Sequence, residues 1–495
     1  MAISGTISHP NPPRDLSALP VLTTLFIALF LRLFVALWSE RIHHPDEIFQ
    51  YLDAAHRLIY GYGFVTWEYR FGIRNWLLPG MIAGLLETLR ILGFDYPTAY
   101  VPTLKVFFAV LSLSAVYAIY VIGRNVFDKQ TGRIAAVYGA VWHELIFYST
   151  IPTPEVLGAY AILTAFALAT DRQRWWAPAV VGLLLGLAVA LRLQYAIAGA
   201  VIWTLVVIWW GWRSALQLSL AGAAVLLFAG MIDALTWGVP FISYYNNVLF
   251  NVVYGVSNLF GRSSLLWYVG RMTEASVGLH ALAFIFGVLK WKRSWPLVLL
   301  ISSVVLPHML VPHKEYRFVF LAIPLLLVLL ARASVEIQSW LAQRYSSTWI
   351  AIGIVSLLSI IGGSRGDILK RDDVLVAALD LSKRNNVAGF LDLTSQWIDT
   401  GGFYYFHHNV PYAFRWDVKQ LSMDEYKNYF SHILDRGDRP LPTGFRVSAR
   451  YGSIVLLEQS DPPPSYRKLP MDGREPKQPG VDDRYTPNVR RRYPK

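Results

Sequence analysis

The chain has 495 residues, of which 54% are hydrophobic and only 16% charged, with a mean hydropathy of +0.38. A soluble globular domain carries nearer a quarter charged residues, so this composition excludes one and indicates an integral membrane protein. Cysteine is absent, which excludes disulfides, thiolate catalysis and zinc–thiolate sites, and the net charge of +12 is spread over short loops rather than gathered into a nucleic-acid-binding patch.

The first 18 residues are polar and contain Pro10, Pro12 and Pro13. The apolar run after them, about 19–39, is too long and too poorly flanked for a cleaved signal and is predicted to stay as the first transmembrane helix. A span needs roughly 20 apolar residues; such runs recur to about residue 362, giving about eleven spans by hydropathy. With the N-terminus in the cytoplasm, the loop over 40–100 faces outward and contains amphipathic pieces such as 76–92. Counting on, the loops at Arg124, Lys129 and Arg133, at Arg172 and Arg174, at Arg213, at Lys290, Lys292 and Arg293, and at Arg332 all fall inside, so the basic residues follow the positive-inside rule. The loop 238–264, Pro152-Thr153-Pro154-Glu155, the turn at Arg192 and the run His313-Lys314-Glu315-Tyr316-Arg317 all fall outside, on the side of His44-Pro45-Asp46-Glu47. Tryptophans at the ends of apolar runs, among them Trp38, Trp175, Trp209, Trp212 and Trp291, suit headgroup level. Residues 366–458 are mixed in polarity, with a helical stretch at 372–385 and short strands at Val387–Leu393 and Ile454–Leu457, which predicts a small extracytoplasmic α/β domain. The tail, 459–495, is rich in Pro and Arg and is expected to be disordered.

Asp46 and Glu47 lie at the edge of a hydrocarbon core, where an ionisable residue is by default a functional hypothesis. Two readings stay open: an acidic helix cap favoured by the macrodipole, or a general base taking a proton from a hydroxyl. His313, Lys314 and Arg317 suit a phosphate, with snorkelling to lipid headgroups as the alternative. Arg70, Arg74 and Arg192 are further candidates for a pyrophosphate or a sugar, or for structural ion pairs. His43, His44 and His56 are spaced poorly for zinc and read as capping or hydrogen-bonding groups; Asp233, late in the seventh span, reads equally as packing or function. No phosphate-cradling Gly-rich loop and no Asp-x-Asp triplet is present, which speaks against a cytoplasmic nucleotide donor and implies no metal.

The order of His44-Pro45-Asp46-Glu47-Ile48-Phe49-Gln50, Ala55-His56, Tyr60-Gly61-Tyr62-Gly63, Thr66-Trp67-Glu68 and Gly72-Ile73-Arg74 resembles the opening signature of the family 22 glycosyltransferases, the lipid-dependent mannosyltransferases of N-glycan and GPI-anchor assembly. Pro312-His313-Lys314-Glu315-Tyr316-Arg317-Phe318, the loop from Asp233 through Asn246-Asn247 to Tyr254-Gly255, and Gly401-Gly402-Phe403-Tyr404-Tyr405-Phe406-His407 resemble three later motifs of that family. The resemblance implies a GT-C fold: an all-α polytopic bundle over 19–365 with a long first outer loop. It implies inverting transfer of mannose from a polyprenyl- or dolichyl-phosphate donor to a lipid-linked or surface glycan, without a cofactor or metal. It further implies Asp46 as base supported by Glu47, His313, Lys314, Arg317 and Arg192 at the donor phosphate, and His44, Trp67, Arg74 and Glu155 at the sugars. Three positions depart from the family pattern: Tyr316 stands for a second glutamate, Leu193-Gln194 follow Arg192, and Glu155 lies in Pro-Thr-Pro-Glu. The short loops suggest a bacterial member with a periplasmic site; in a eukaryote the membrane would be that of the endoplasmic reticulum. Competing expectations are a protein O-mannosyltransferase or oligosaccharide ligase of the same architecture, and a transporter. The transporter would favour charges at mid-membrane and repeated halves, and no repeat is visible.

Overall fold

The computed structural model describes residues 21–171, 174–342, 353, 355–359, 368–394, 399–467 and 481–482. Five helices are long and apolar enough to cross a membrane: Val21–Trp38, Pro97–Val126, Trp212–Trp237, Trp291–Leu310 and Ala322–Ser339. Two more spans follow if each bent pair counts once, His143–Thr150 with Pro154–Thr170 (117°) and Trp267–Ala275 with Leu279–Leu289 (111°). Ala177–Leu191 and Tyr195–Trp210 are shorter apolar helices. The expected last run, 347–362, lies mostly outside the described residues, as do the N-terminal segment and most of the tail.

Small residues let the helices close on one another where lipid offers no hydrophobic drive between them. Gly182 and Gly186 press against the Trp212–Trp237 helix, and a Cβ on Gly186 would stand 2.6 Å from the Gly222 carbonyl. Gly132 likewise has room for no Cβ, which would fall 2.6 Å from the Tyr120 carbonyl. Arg32, buried in the first helix, donates to Ser112 Oγ (3.0 Å) and to the carbonyls of Gly139 (2.9 Å) and Ala140 (3.1 Å). It satisfies the free carbonyls at the end of the Lys129–Val141 helix, so this intramembrane cation is structural.

The first outer loop is ordered. It runs through a single π-turn (Glu47–Leu52), a helix (Asp53–Tyr60), strand β1 (Gly63–Phe64) and the interfacial helix Leu77–Ile91, whose Leu78, Ile82 and Leu86 are buried while Met81 and Ile91 are exposed. The C-terminal segment forms a five-stranded mixed sheet from β2 (Phe390–Asp392), β3 (Tyr412–Phe414), β4 (His432–Asp435), β5 (Phe445–Tyr451) and β6 (Ile454–Gln459), in the order β3-β2-β4-β6-β5. The helices Asp373–Leu381 and Gly402–Phe406 join it to the bundle, and Phe403–Phe406 share the core of the first loop. Asp53 holds the junction: one carboxylate oxygen accepts from the Phe64 amide (2.7 Å) and the other from the Tyr404 amide (3.0 Å). Gly402, at φ 58°, is required there, because a Cβ would lie 2.8 Å from the same Asp53 carboxylate.

Candidate active site

Asp46 precedes the π-turn with helical backbone angles and makes no side-chain cap among the described residues. Asp46 thus stands at a helix start without a capping hydrogen bond, and its carboxylate pairs elsewhere. Oδ2 accepts from Arg317 Nη2 at 2.5 Å and lies 3.5 Å from His44 Nδ1. Single π-turns recur at functional sites because the extra residue re-aims side chains.

Arg317 sits in a short 3-10 turn, Tyr316–Val319, just beyond the Trp291–Leu310 helix. Its side chain is 3% exposed; Nε reaches Glu315 Oε2 at 2.7 Å and lies 3.9 Å from Glu155 Oε1. Glu155, in the first turn of Pro154–Thr170, also takes Arg192 Nη1 at 3.1 Å, and Arg192 stacks on Phe318 with its guanidinium carbon 4.6 Å from the ring centre. Four segments remote in sequence thus meet in one ion-pair network: 44–46, 155, 192 and 313–317.

The other expected site residues take distinct places. His44 lies between Asp46 and Glu315, with Nε2 3.5 Å from the latter. His313 Nε2 is 3.0 Å from Glu315 Oε1, and Lys314 donates to the Val311 carbonyl, so both are turned onto their own loop. Burial pushes the Glu315 carboxyl up, but the His313 hydrogen bond and the Arg317 charge outweigh it and hold the group well below the usual carboxylate range. Glu47 turns inward, is buried, and accepts from the His43 amide at 3.2 Å; burial pushes its carboxyl up to about 7. Arg74 lines a cavity with Arg192. Trp67 stacks on Phe260 (6.3 Å, 17°) and packs on Phe250, under the loop 249–260. His56 pairs with His407 across the loop–sheet junction (3.0 Å), and Asp233 accepts from the Ser243 amide (2.9 Å) and from Asn75 (2.6 Å), which makes it a tether of the 238–264 loop.

One residue tied to the network, Glu144, carries no motif signal of its own. Glu144 accepts from Trp142 Nε1 (2.6 Å) and from the Tyr316 hydroxyl, so it grips the residue between Glu315 and Arg317. Gln50 donates to Glu68 at 2.6 Å and braces the turn behind Asp46.

The profile of the Alg9-like mannosyltransferase family matches residues 23–385. The chain belongs to this family. The mannosyltransferase is 27% identical over 466 residues to GPI mannosyltransferase 3 of Yarrowia lipolytica, a match covering 88% of this chain and 87% of that one. It is 23% identical over 382 residues to GPI alpha-1,2-mannosyltransferase 3 of Bos taurus, covering 75% and 69%. The crystal structure of ArnT from Cupriavidus metallidurans bound to undecaprenyl phosphate superposes with a TM-score of 0.59 at 11% identity, covering 88% of this chain and 97% of that one, which shows the GT-C fold. The chain is thus a multi-pass membrane glycosyltransferase of GT-C architecture; its named relatives come from a yeast and from cattle and give the bacterial expectation no support.

In this mannosyltransferase the network leaves one of its carboxylates partly exposed. The Asp46 side chain is 24% exposed, against 3% for Glu155, and its two contacts both use Oδ2. His44, Asp46 and Glu315 each offer a ligand atom within 4.8 Å of the others. The Arg317 guanidinium lies beside the same two carboxylates, 2.5 Å from Asp46 Oδ2 and 2.7 Å from Glu315 Oε2.

Proposed function

We propose that this enzyme moves a mannosyl residue from a polyprenyl- or dolichyl-phosphate mannose to a hydroxyl of a lipid-linked glycan at the extracytoplasmic face, with inversion. The acceptor oxygen bonds to the sugar C1, the C1–O bond to phosphate breaks, the acceptor proton passes to Asp46 Oδ1, and the polyprenyl phosphate leaves. A single displacement needs one carboxylate, whereas retention would need a second on the opposite face of the sugar. A carboxylate is a weak base for an alcohol, but it suffices where the leaving group departs early and the proton moves late.

The observation that carries this reading is the state of Asp46: its side chain is partly exposed, and its oxygen Oδ2 is taken by Arg317. Relatives whose names specify GPI mannosyl transfer and a fold relative whose structure contains undecaprenyl phosphate support the choice of substrates. His44 beside Asp46 orients the base, and Glu47 supports the turn from within. The test is transfer of radiolabelled mannose from polyprenyl-phosphate mannose to glycolipid and peptide acceptors by purified protein. Asp46→Asn is expected to lower transfer by about 10²–10⁴-fold in protein that still unfolds cooperatively on heating. Undiminished transfer by that variant would remove Asp46 as base, and labelled peptide in place of glycolipid would reassign the acceptor.

A further inference from the structure

We propose that the segment 263–280 clamps the turn at 312–317, and that Tyr268 and His280 are positioning residues for the transfer; the reaction they serve rests on the function proposed above.

The turn has little of its own to hold it. Residues 311–315 lie in no helix or strand, and the 3-10 turn that follows, Tyr316–Val319, has only four residues. Hydrogen bonds in such a turn are few and of poorer geometry than those of an α-helix. Yet Arg317 has to stay beside Asp46 and Glu315 for the ion-pair network to persist. The turn must therefore be fixed from outside.

The segment 263–280 meets it at three successive points. The Ser263 amide donates to the Pro312 carbonyl at 2.9 Å, and the Tyr268 hydroxyl donates to the Glu315 carbonyl at 3.3 Å. His280 reaches the third point, Tyr316, by way of Glu144. Tyr268 and His280 stand in the two halves of the bent pair, Trp267–Ala275 and Leu279–Leu289, on either side of the 111° turn. Along a straight helix they would lie about 18 Å apart. The bend lets them serve adjacent residues of one short turn.

His280 is buried, and neither of its ring nitrogens has a hydrogen-bond partner among the described residues. The Met272 carbonyl near it is already taken by Ser276 Oγ at 2.7 Å. His280 Nε2 lies 3.6 Å from Glu144 Oε2, longer than a hydrogen bond but closed by a small shift. Its ring packs on Trp142 (5.3 Å), whose Nε1 donates to that same oxygen at 2.6 Å. An imidazole N–H held out of water is costly without an acceptor, and the Glu144 carboxylate is the acceptor this one faces. Glu144 in turn takes the Tyr316 hydroxyl through Oε1. Tyr268, also buried, acts on the neighbouring residue directly. Both side chains work on Arg317 through the backbone they hold, so their loss slows the chemical step more than it weakens substrate binding.

The first readout is kinetic. Tyr268→Phe and His280→Phe keep the rings and remove the donors. Each is expected to lower kcat about three- to tenfold with KM within about twofold, the size of one lost hydrogen bond. His280→Gln, which returns an N–H to the place of Nε2, is expected to recover most of the rate. His280→Phe added to Glu144→Gln is expected to lose no more than Glu144→Gln alone, because His280 acts through that carboxylate. The second readout needs no transfer. Hydrogen–deuterium exchange of the detergent-solubilised protein is expected to quicken in the peptide 313–320 of both Phe variants and to stay unchanged in the Val21–Trp38 helix. Leu282→Ala, exposed on the same helix as His280, is expected to change neither readout. Wild-type kcat and wild-type exchange in the Phe variants would overturn the proposal. An equal loss in Leu282→Ala, or exchange loosened across the whole bundle with kcat intact, would overturn it too. If His280→Phe does not fold, His280→Leu and Tyr268→Phe take its place under the same criteria. Failure of the wild type to transfer mannose would sink the proposed activity, and the exchange measurement would still judge the clamp.

Discussion

Arg317 holds two carboxylates at once, and a single point charge cannot do the same. Its planar fork takes Asp46 through Nη2 and Glu315 through Nε, at 2.5 and 2.7 Å. Arg317→Ala leaves Asp46 and Glu315 without their cation, and the expected outcome is a lower melting temperature with abolished transfer, read by thermal unfolding in detergent and by the mannose assay. Arg317→Lys is expected to recover part of the stability but little of the activity. Glu47 makes a prediction of definite sign. Burial lifts its carboxyl from 4.5 to about 7, so the folded chain keeps a proton that the unfolded chain has lost. The stability tied to that proton is full below about pH 4.5 and is lost as the pH rises through 7, with an upper bound of about 3 kcal/mol. Glu47→Gln is therefore expected to match wild type near pH 4.5 and to melt at higher temperature near pH 8; equal melting of the two at both pH values would refute the burial argument. Glu47 stands beside Asp46 in the sequence, and adjacency suggests a catalytic pair, but the two carboxylates take different partners, the His43 amide for buried Glu47 and Arg317 for Asp46.

At the scale of elements, the active-site loops are carried by helices that break rather than run straight. The His143–Thr150 and Pro154–Thr170 pair bends by 117° at a gap containing Pro152, and Glu144 and Glu155 stand on either side of the bend. The pair at 267–289 turns by 111° around Gly278, whose φ of 87° suits glycine. Hydropathy reads the second pair as one continuous run, because composition carries no bend, whereas Pro152-Thr153-Pro154 already marks a break in the first. Glu144 is the residue that makes the first bend useful, since its carboxylate takes both Trp142 and, 172 positions further along the sequence, Tyr316. Tyr316→Phe is expected to remove one bond to a buried carboxylate, cost roughly 1–3 kcal/mol, and lower kcat more than KM, because Glu315 and Arg317 lose their anchor and not their charges. Equal loss in Tyr316→Phe and Glu144→Gln, without further loss in the double variant, would confirm that the two act as one unit. Tyr316 stands where the family motif has glutamate, and its partner could not be read from the motif alone.

For the whole molecule, charge divides the bundle into two ends. Arg332 with Asp128 (2.5 Å), Lys290 with Glu336 (2.7 Å) and Arg124 with Asp171 (3.7 Å) join loops assigned by the positive-inside rule to the cytoplasm. The ion-pair network around Asp46 gathers loops assigned to the opposite face. A chain without cysteine is already a background for labelling. Arg262→Cys, at an exposed position of the 238–264 loop, is expected to react with an impermeant maleimide from the extracytoplasmic side, and Lys292→Cys, also exposed, only after permeabilisation. The reverse pattern would invert the topology and move the site to the cytoplasm.

The amino-acid sequence by itself determined the membrane class and the family, while its count of about eleven spans stands against five to seven among the described residues. Class and family follow from composition, periodicity and short motifs, all of which are local or additive along the chain. Only the tertiary structure decided what each charge does. It turned Asp46 from a cap into a partner of Arg317, Glu47 inward, Lys314 onto its own loop and Asp53 into the clasp between the first loop and Tyr404, 351 residues away. The role of a carboxylate depends on which donors surround it in space, and in this fold those donors come from distant turns that no local pattern records.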